Sequence, residues 1–256
     1  MKKVLSLILS CVMLTSMFAV NFNAYASGWL DDVQKIEFYT NYLESVDSTD
    51  YYDGCYNNAF KFVVPQKGTL TLYLESDYSD YAFGVASVAD YNVYKASDVD
   101  NVFGEFEPYK EGHSSARDVY YEYSKITLNK GTYYVVIRNG SSTAGKVSYE
   151  FSIKYRPIFA NTSITKLTSK KNAFNVKWKK ASYATGYQIK YSLKKNMKSS
   201  KTVIIKSNST TSRTIKKLKR KKVYYVKVRS YKKVKVDGHN KTFYGKWSAK
   251  KKIKTK

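Results

Sequence analysis

Residues 223–236 read VYYVKVRSYKKVKV, and the reading of this stretch decides the fold of the half of the chain that holds it. Its apolar half, rich in valine and tyrosine, reads as a strand of a packed domain. Its other half is almost all lysine and arginine. In an extended strand successive side chains point to opposite faces. Tyr224, Val226 and Val228 therefore share one face, and Tyr225, Lys227, Arg229 and Tyr231 share the other. A strand with so much positive charge carries either a binding surface or only a solvated face.

The charge is not local to the strand. Residues 158–256 hold 31 Lys and Arg against one acid, Asp237, a net +30. Residues 27–157 hold 12 Lys and Arg against 19 acids, a net −7. Such asymmetry points to two units with different partners. The seam falls at Tyr155-Arg156-Pro157, where a strand-like run meets a proline.

The start of the chain is a targeting segment. Lys2 and Lys3 precede an apolar run from Val4 to Val20, and Ala24-Tyr25-Ala26 follows as a small-x-small site. The pattern predicts a secretory signal peptide over residues 1–26, cleaved after Ala26. A lipoprotein site at LILSC, ending at Cys11, is the weaker alternative, because that cysteine lies inside the apolar run and not at its end. Beyond residue 26 the only cysteine is Cys55, which leaves no internal disulfide. The fold must then rest on hydrophobic cores.

Both halves read as β. KFVVP (61–65), TLTLYLES (69–76), YAFGVAS (81–87), SKITL (124–128), TYYVVIRNG (132–140) and VSYEFSIKY (147–155) are strand-like runs, with turns at QKG (66–68) and NKG (129–131). Trp29 to Val46 fits a helix or a strand. The second half holds SITKLTS (163–169), FNVKWKK (174–180), GYQIKYS (186–192), KTVIIKS (201–207), TSRTIKK (211–217), VYYVKVRSY (223–231) and GKWSAKKKIKTK (245–256). Seven short runs at this spacing suit a seven-stranded sandwich.

These residues carry a family signal. Trp178 on the second run, Tyr187-x-Ile189-x-Tyr191 on the third, Leu218 six residues before Tyr224-x-Val226-x-Val228, and Trp247 in YGKWS together resemble a fibronectin type III domain over 158–256, in the lysine-rich form of secreted Gram-positive proteins. Arg220 and Lys222 stand where the family often has proline and threonine, which adds charge. No RGD tripeptide is present. In residues 27–157, Asp47 and Asp50 before Phe60-Lys61-Phe62, Pro65-Gln66-Lys67-Gly68-Thr69-Leu70, Leu128-x-x-Gly131-Thr132-Tyr133-Tyr134 and Tyr149-x-Phe151 resemble a bacterial pre-peptidase C-terminal domain. The expected fold is all-β: two tandem antiparallel β-sandwiches, jelly-roll-like and then fibronectin type III, after the signal peptide. The resemblance places Tyr224, Val226 and Val228 in the core, so Tyr225, Lys227, Arg229 and Tyr231 point outward, with Lys190 on the same side of the same sheet.

Catalytic chemistry finds little footing. His113 and His239 lie in polar loops, EGHSS and DGHNK, far apart and without a partnered nucleophile. No HExxH, paired CxxC or P-loop occurs. Asp47, Asp50 and Asp53 in DSTDYYDG form a calcium candidate, although Asx hydrogen bonds in a turn explain the same residues and the spacing is not that of an EF-hand. No cofactor is otherwise expected.

A charge of +30 on 99 residues exceeds the roughly 2–8 that solubility asks of a small domain. It attracts polyanions. For an exported protein these are anionic cell-wall polymers or polysaccharides, then extracellular DNA, with a host matrix protein as a further partner. Lys190, Tyr225, Lys227, Arg229 and Tyr231 are the expected polyanion-binding residues. The expected function is a secreted, non-catalytic binding or adhesion protein at the cell surface. The alternative is an exported enzyme or enzyme-accessory protein with its site in residues 27–157.

Overall fold

The structure is a computed structural model that describes residues 33–46, 51–52, 55–76, 90–95, 98–105, 107–115, 119–139 and 147–256. The signal-peptide segment, YAFGVAS, and the calcium candidates Asp47, Asp50 and Asp53 lie outside the described residues. The chain divides into two compact units between Tyr155 and Arg156. Among the described residues all named elements are strands, and antiparallel pairs join them within both units.

The first unit is built from β1 (Tyr42–Val46), β2 (Tyr51–Tyr52), β3 (Cys55–Val64), β4 (Gly68–Ser76), β5 (Asp90–Lys95), β6 (Asp98–Glu105), β7 (Glu107–Ser114), β8 (Val119–Leu128), β9 (Gly131–Asn139) and β10 (Val147–Pro157). One sheet runs β1-β10-β4-β8-β7 and the other β2-β3-β9-β5-β6. The alternation of TLTLYLES is what commits β4. Leu70, Leu72 and Leu74 are buried on one side while Thr71 and Tyr73 are half-exposed on the other. Phe60 of β3 meets Phe151 of β10 across the two sheets, with ring centroids 4.6 Å apart. The segment open between helix and strand resolves as irregular backbone from residue 33 to 41, followed by β1.

The second unit contains β11 (Ile164–Lys170), β12 (Ala173–Trp178), β13 (Gly186–Ser192), β14 (Lys201–Ile205), β15 (Ser212–Ile215), β16 (Val223–Val236), β17 (His239–Tyr244) and β18 (Lys251–Lys254). A three-stranded sheet, β11-β12-β15, packs on a five-stranded sheet, β14-β13-β16-β17, with β18 also on β16. Phe174 of β12 meets Tyr191 of β13 and Tyr224 of β16 at 6.0 and 6.1 Å between ring centroids. Trp178 meets Tyr187 edge-on at 5.4 Å. Its indole N–H is buried without a hydrogen-bond partner in the described residues, so the ring serves by its volume. The backbone N–H of Lys219 donates to the Tyr224 hydroxyl at 3.0 Å, which pins the approach to β16 at its base.

β16 is longer than the expected run 223–231, and the reason lies in its partners. Tyr231–Val236 continues against β17 through a tight turn at Asp237-Gly238, where both residues have positive φ (48° and 81°). Asp-Gly between alternating residues is a strong hairpin signal. The expected final run 245–256 is accordingly shorter. β17 and β18 pair with successive halves of the same edge of β16, and residues 245–250 ride between them. His113 and His239, expected in loops, fall on β7 and β17, in different units.

Candidate polyanion-binding face

The register of the five-stranded sheet fixes its outward side. Tyr187, Ile189, Tyr224, Val226 and Val228 pack inward with the core. The intervening residues Gln188, Lys190, Tyr225, Lys227, Arg229 and Tyr231 therefore stand on the other side. Lys190 and Lys227 are direct cross-strand partners. Tyr225 is the partner of Lys252 on β18.

Arg229 is not a free cation. Its Nε and Nη2 both donate to Gln188 Oε1, at 2.9 and 2.8 Å. Its guanidinium lies 3.9 Å from the ring centroid of Tyr244 and 4.3 Å from that of Trp247. Burial lowers its pKa from the ordinary arginine value, with Tyr244 opposing the shift. The planar fork thus fastens the segment between β17 and β18 onto β16. Gly245 N–H donating to Ser230 O and Ser248 N–H donating to Val228 O complete that fastening, at 2.9 and 2.8 Å.

Tyr231 corrects the outward assignment in a second way. It has outward parity but is only 3% exposed. Its cross-strand partner is Gly186, which has no side chain, and the phenol hydroxyl passes over it to donate to Ile205 O at 3.3 Å. Burial raises the Tyr231 pKa, with Tyr244 adding to the rise. Tyr231 covers the sheet and offers no surface to a ligand.

Lys190, Lys227 and Tyr225, like the fastened Arg229, are half-exposed on this face. Two further residues join them. The Lys190 ammonium sits 5.0 Å from the Trp247 ring centroid. The Lys250 ammonium sits 5.7 Å from the Tyr225 ring centroid and donates to Lys195 O at 2.6 Å. Lys194, Lys195, Asn196 and Lys250 line a shallow depression beside it. In the sequence Trp247 is legible as a strand landmark, and Lys250 as one lysine of many. Nothing local puts either beside β16.

The strand order of the second unit resembles a fibronectin type III sandwich. No protein-family model matches the chain, and no curated protein is significantly similar to it. Similar solved structures include the pre-peptidase C-terminal domain of a collagenase from Bacillus anthracis, 15% identical, covering 48% of this chain and 95% of that one with a TM-score of 0.34. An Fn3-like protein from Clostridium thermocellum is 22% identical, covers 37% of this chain and 88% of that one, and has a TM-score of 0.25. The adhesin domain of Epf from Streptococcus pyogenes is 15% identical, covers 80% and 76% of the two chains, and has a TM-score of 0.38.

The one carboxylate side chain of the second unit, Asp237, is at the β16–β17 turn. At about 3.3 Å per residue it stands about 30 Å along the strand from Lys227. That exceeds the Debye length of about 8 Å at physiological salt several times over. The lysines on this face have no acidic side chain of their own unit within reach. Among the described residues no group of His, Cys, Asp and Glu forms a metal site.

Proposed function

We propose that this chain is an exported, non-catalytic binding protein that holds anionic polymers of the cell envelope on the outer face of its basic unit. The observation that carries this reading is the pairing of Lys190 with Lys227 on that face, in a unit with one acid against 32 Lys and Arg from Arg156 onward. Like charges placed directly opposite one another weaken a sheet. A bound polyanion turns that cost into affinity. A shallow, open, lysine-lined depression lies beside the face, a shape that suits an extended polymer better than a small molecule.

The test is sedimentation with purified cell walls. The protein is expected to pellet with intact walls and to be released as salt rises, because each neutralised phosphate releases counterions. Equal pelleting with walls stripped of their anionic polymers would overturn the reading.

A further inference from the structure

The rings on this face are already occupied. Arg229 lies over both Tyr244 and Trp247, Lys190 lies over Trp247, and Lys250 lies over Tyr225. Tyr231 is buried under its own hydrogen bond. Proteins that hold single-stranded nucleic acid do so by stacking bases on open aromatic faces within a basic groove. Here Tyr225 and Trp247 are half-buried beside the protein's own cations, and the more open ring, Tyr244 at 39% exposed, carries Arg229 against it. The arrangement offers charge with one open ring, too few for a run of stacked bases.

We propose that this face takes a linear polyanion that lacks aromatic bases, and that Lys190, Lys227 and Lys250 are its anchoring points. The proposal rests on the polyanion reading above and narrows it. The cations are lysines, compact point charges that need no bidentate geometry. Neighbouring strands are about 4.8 Å apart. The Lys190–Lys227 pair and the Lys250 ammonium over Tyr225 therefore place three charges within a patch on the order of 10 Å across. A chain with one anionic group per repeat can lay successive charges along such a patch. The one arginine on this face is committed to Gln188 and two rings, so it acts as a positioning residue that holds Trp247 under Lys190.

The experiment measures binding of the whole chain to three labelled probes of matched charge number: inorganic polyphosphate, polygalacturonate and oligo-dT. Tighter binding of either base-free polymer than of oligo-dT supports the proposal. The variant Lys190→Gln/Lys227→Gln/Lys250→Gln is expected to bind the preferred probe about tenfold more weakly. Its slope of log affinity against log salt should fall by about two, at about 0.7 for each ammonium removed from a single-stranded polymer. A control triple on exposed lysines flanking the two ends of β12, Lys171→Gln/Lys179→Gln/Lys180→Gln, should change both far less. Oligo-dT binding as tightly as the base-free probes would overturn the exclusion of bases and leave the polyanion reading standing. Equal weakening by the two triples would overturn the placement of the site. Failure of the unaltered chain to bind any probe would overturn both readings.

Discussion

Lys190 and Lys227 stand directly opposite one another on β13 and β16, on the outward side of the sheet. Cross-strand pairs contribute roughly 0.2–1 kcal/mol, and like charges reverse the sign. Lys227→Glu is therefore expected to stabilise the second unit by up to about 1 kcal/mol at low salt, a gain that fades as salt screens it. The same variant should lose wall binding. Urea unfolding and pelleting, measured on one preparation, check both. A variant that is less stable at low salt would show that the pair is not strained.

Arg229 is expected to matter for the fold more than for the charge. Lys at this position keeps the positive charge but loses the fork on Gln188 and the stack between Tyr244 and Trp247. Hydrogen bonds to a charged group contribute about 1.5–3 kcal/mol, and a cation over an aromatic ring about 0.5–1 kcal/mol. Arg229→Lys should cost the second unit about 2 kcal/mol in denaturant unfolding. Its salt slope for polyanion binding should stay near that of the unaltered chain, whereas replacing a residue that touches the polymer would move it.

Gly186 is required by its surroundings. A β-carbon there would lie 2.1 Å from Ile205 O and 2.8 Å from the Tyr231 hydroxyl. The first is backbone and cannot turn aside. Gly186→Ala should destabilise the unit by about 3 kcal/mol or more, at the upper end of overpacking costs. Tyr231→Phe removes only one hydrogen bond and should cost about 1 kcal/mol. Thermal unfolding of the two variants side by side tests the order. A milder effect for Gly186→Ala would contradict the close approach.

Tyr155 sets an alkaline limit on the first unit. Burial pushes its pKa from the ordinary 10 up to about 12, with the Gln66 side chain opposing the rise and Tyr39 adding to it. In the native state the phenol keeps its proton where the unfolded chain has lost it. Its contribution is whole below about pH 10 and is lost as pH rises to about 12. The first unit should therefore lose stability between about pH 10 and 12, and Tyr155→Phe should flatten that fall. Denaturant midpoints across the range check it. An unchanged pH slope in the variant would assign the limit to other tyrosines.

Much of the architecture was legible because strand patterning is local. The period-two alternation of TLTLYLES and VYYVKVRSY marks core and solvent faces without knowledge of any partner. Tyr224, Val226 and Val228 read as core and are core, with Tyr224 packed on Phe174. The β16–β17 hairpin was also in the sequence, in Asp237-Gly238, but the charged run after Tyr231 hid the alternation of Val234 and Val236 that flanks it.

The candidate site was legible only in part. Lys190, Tyr225 and Lys227 stand on the outward side with part of their surface open. Arg229 and Tyr231 have the same parity but are engaged by the protein itself, because parity says which way a side chain leaves the backbone and not what lies over it. What lies over Arg229 comes from Tyr244 and Trp247, and what makes room for Tyr231 is the missing side chain of Gly186. The sequence by itself determined an all-β chain, the inward set of β16 and a basic half with almost no acids. The tertiary structure alone decided that Arg229 is fastened to Gln188, Tyr244 and Trp247 while Tyr231 is buried. The reason is physical: alternation is set by each residue's own backbone, whereas cation–aromatic stacking and burial depend on neighbours that only strand pairing brings together.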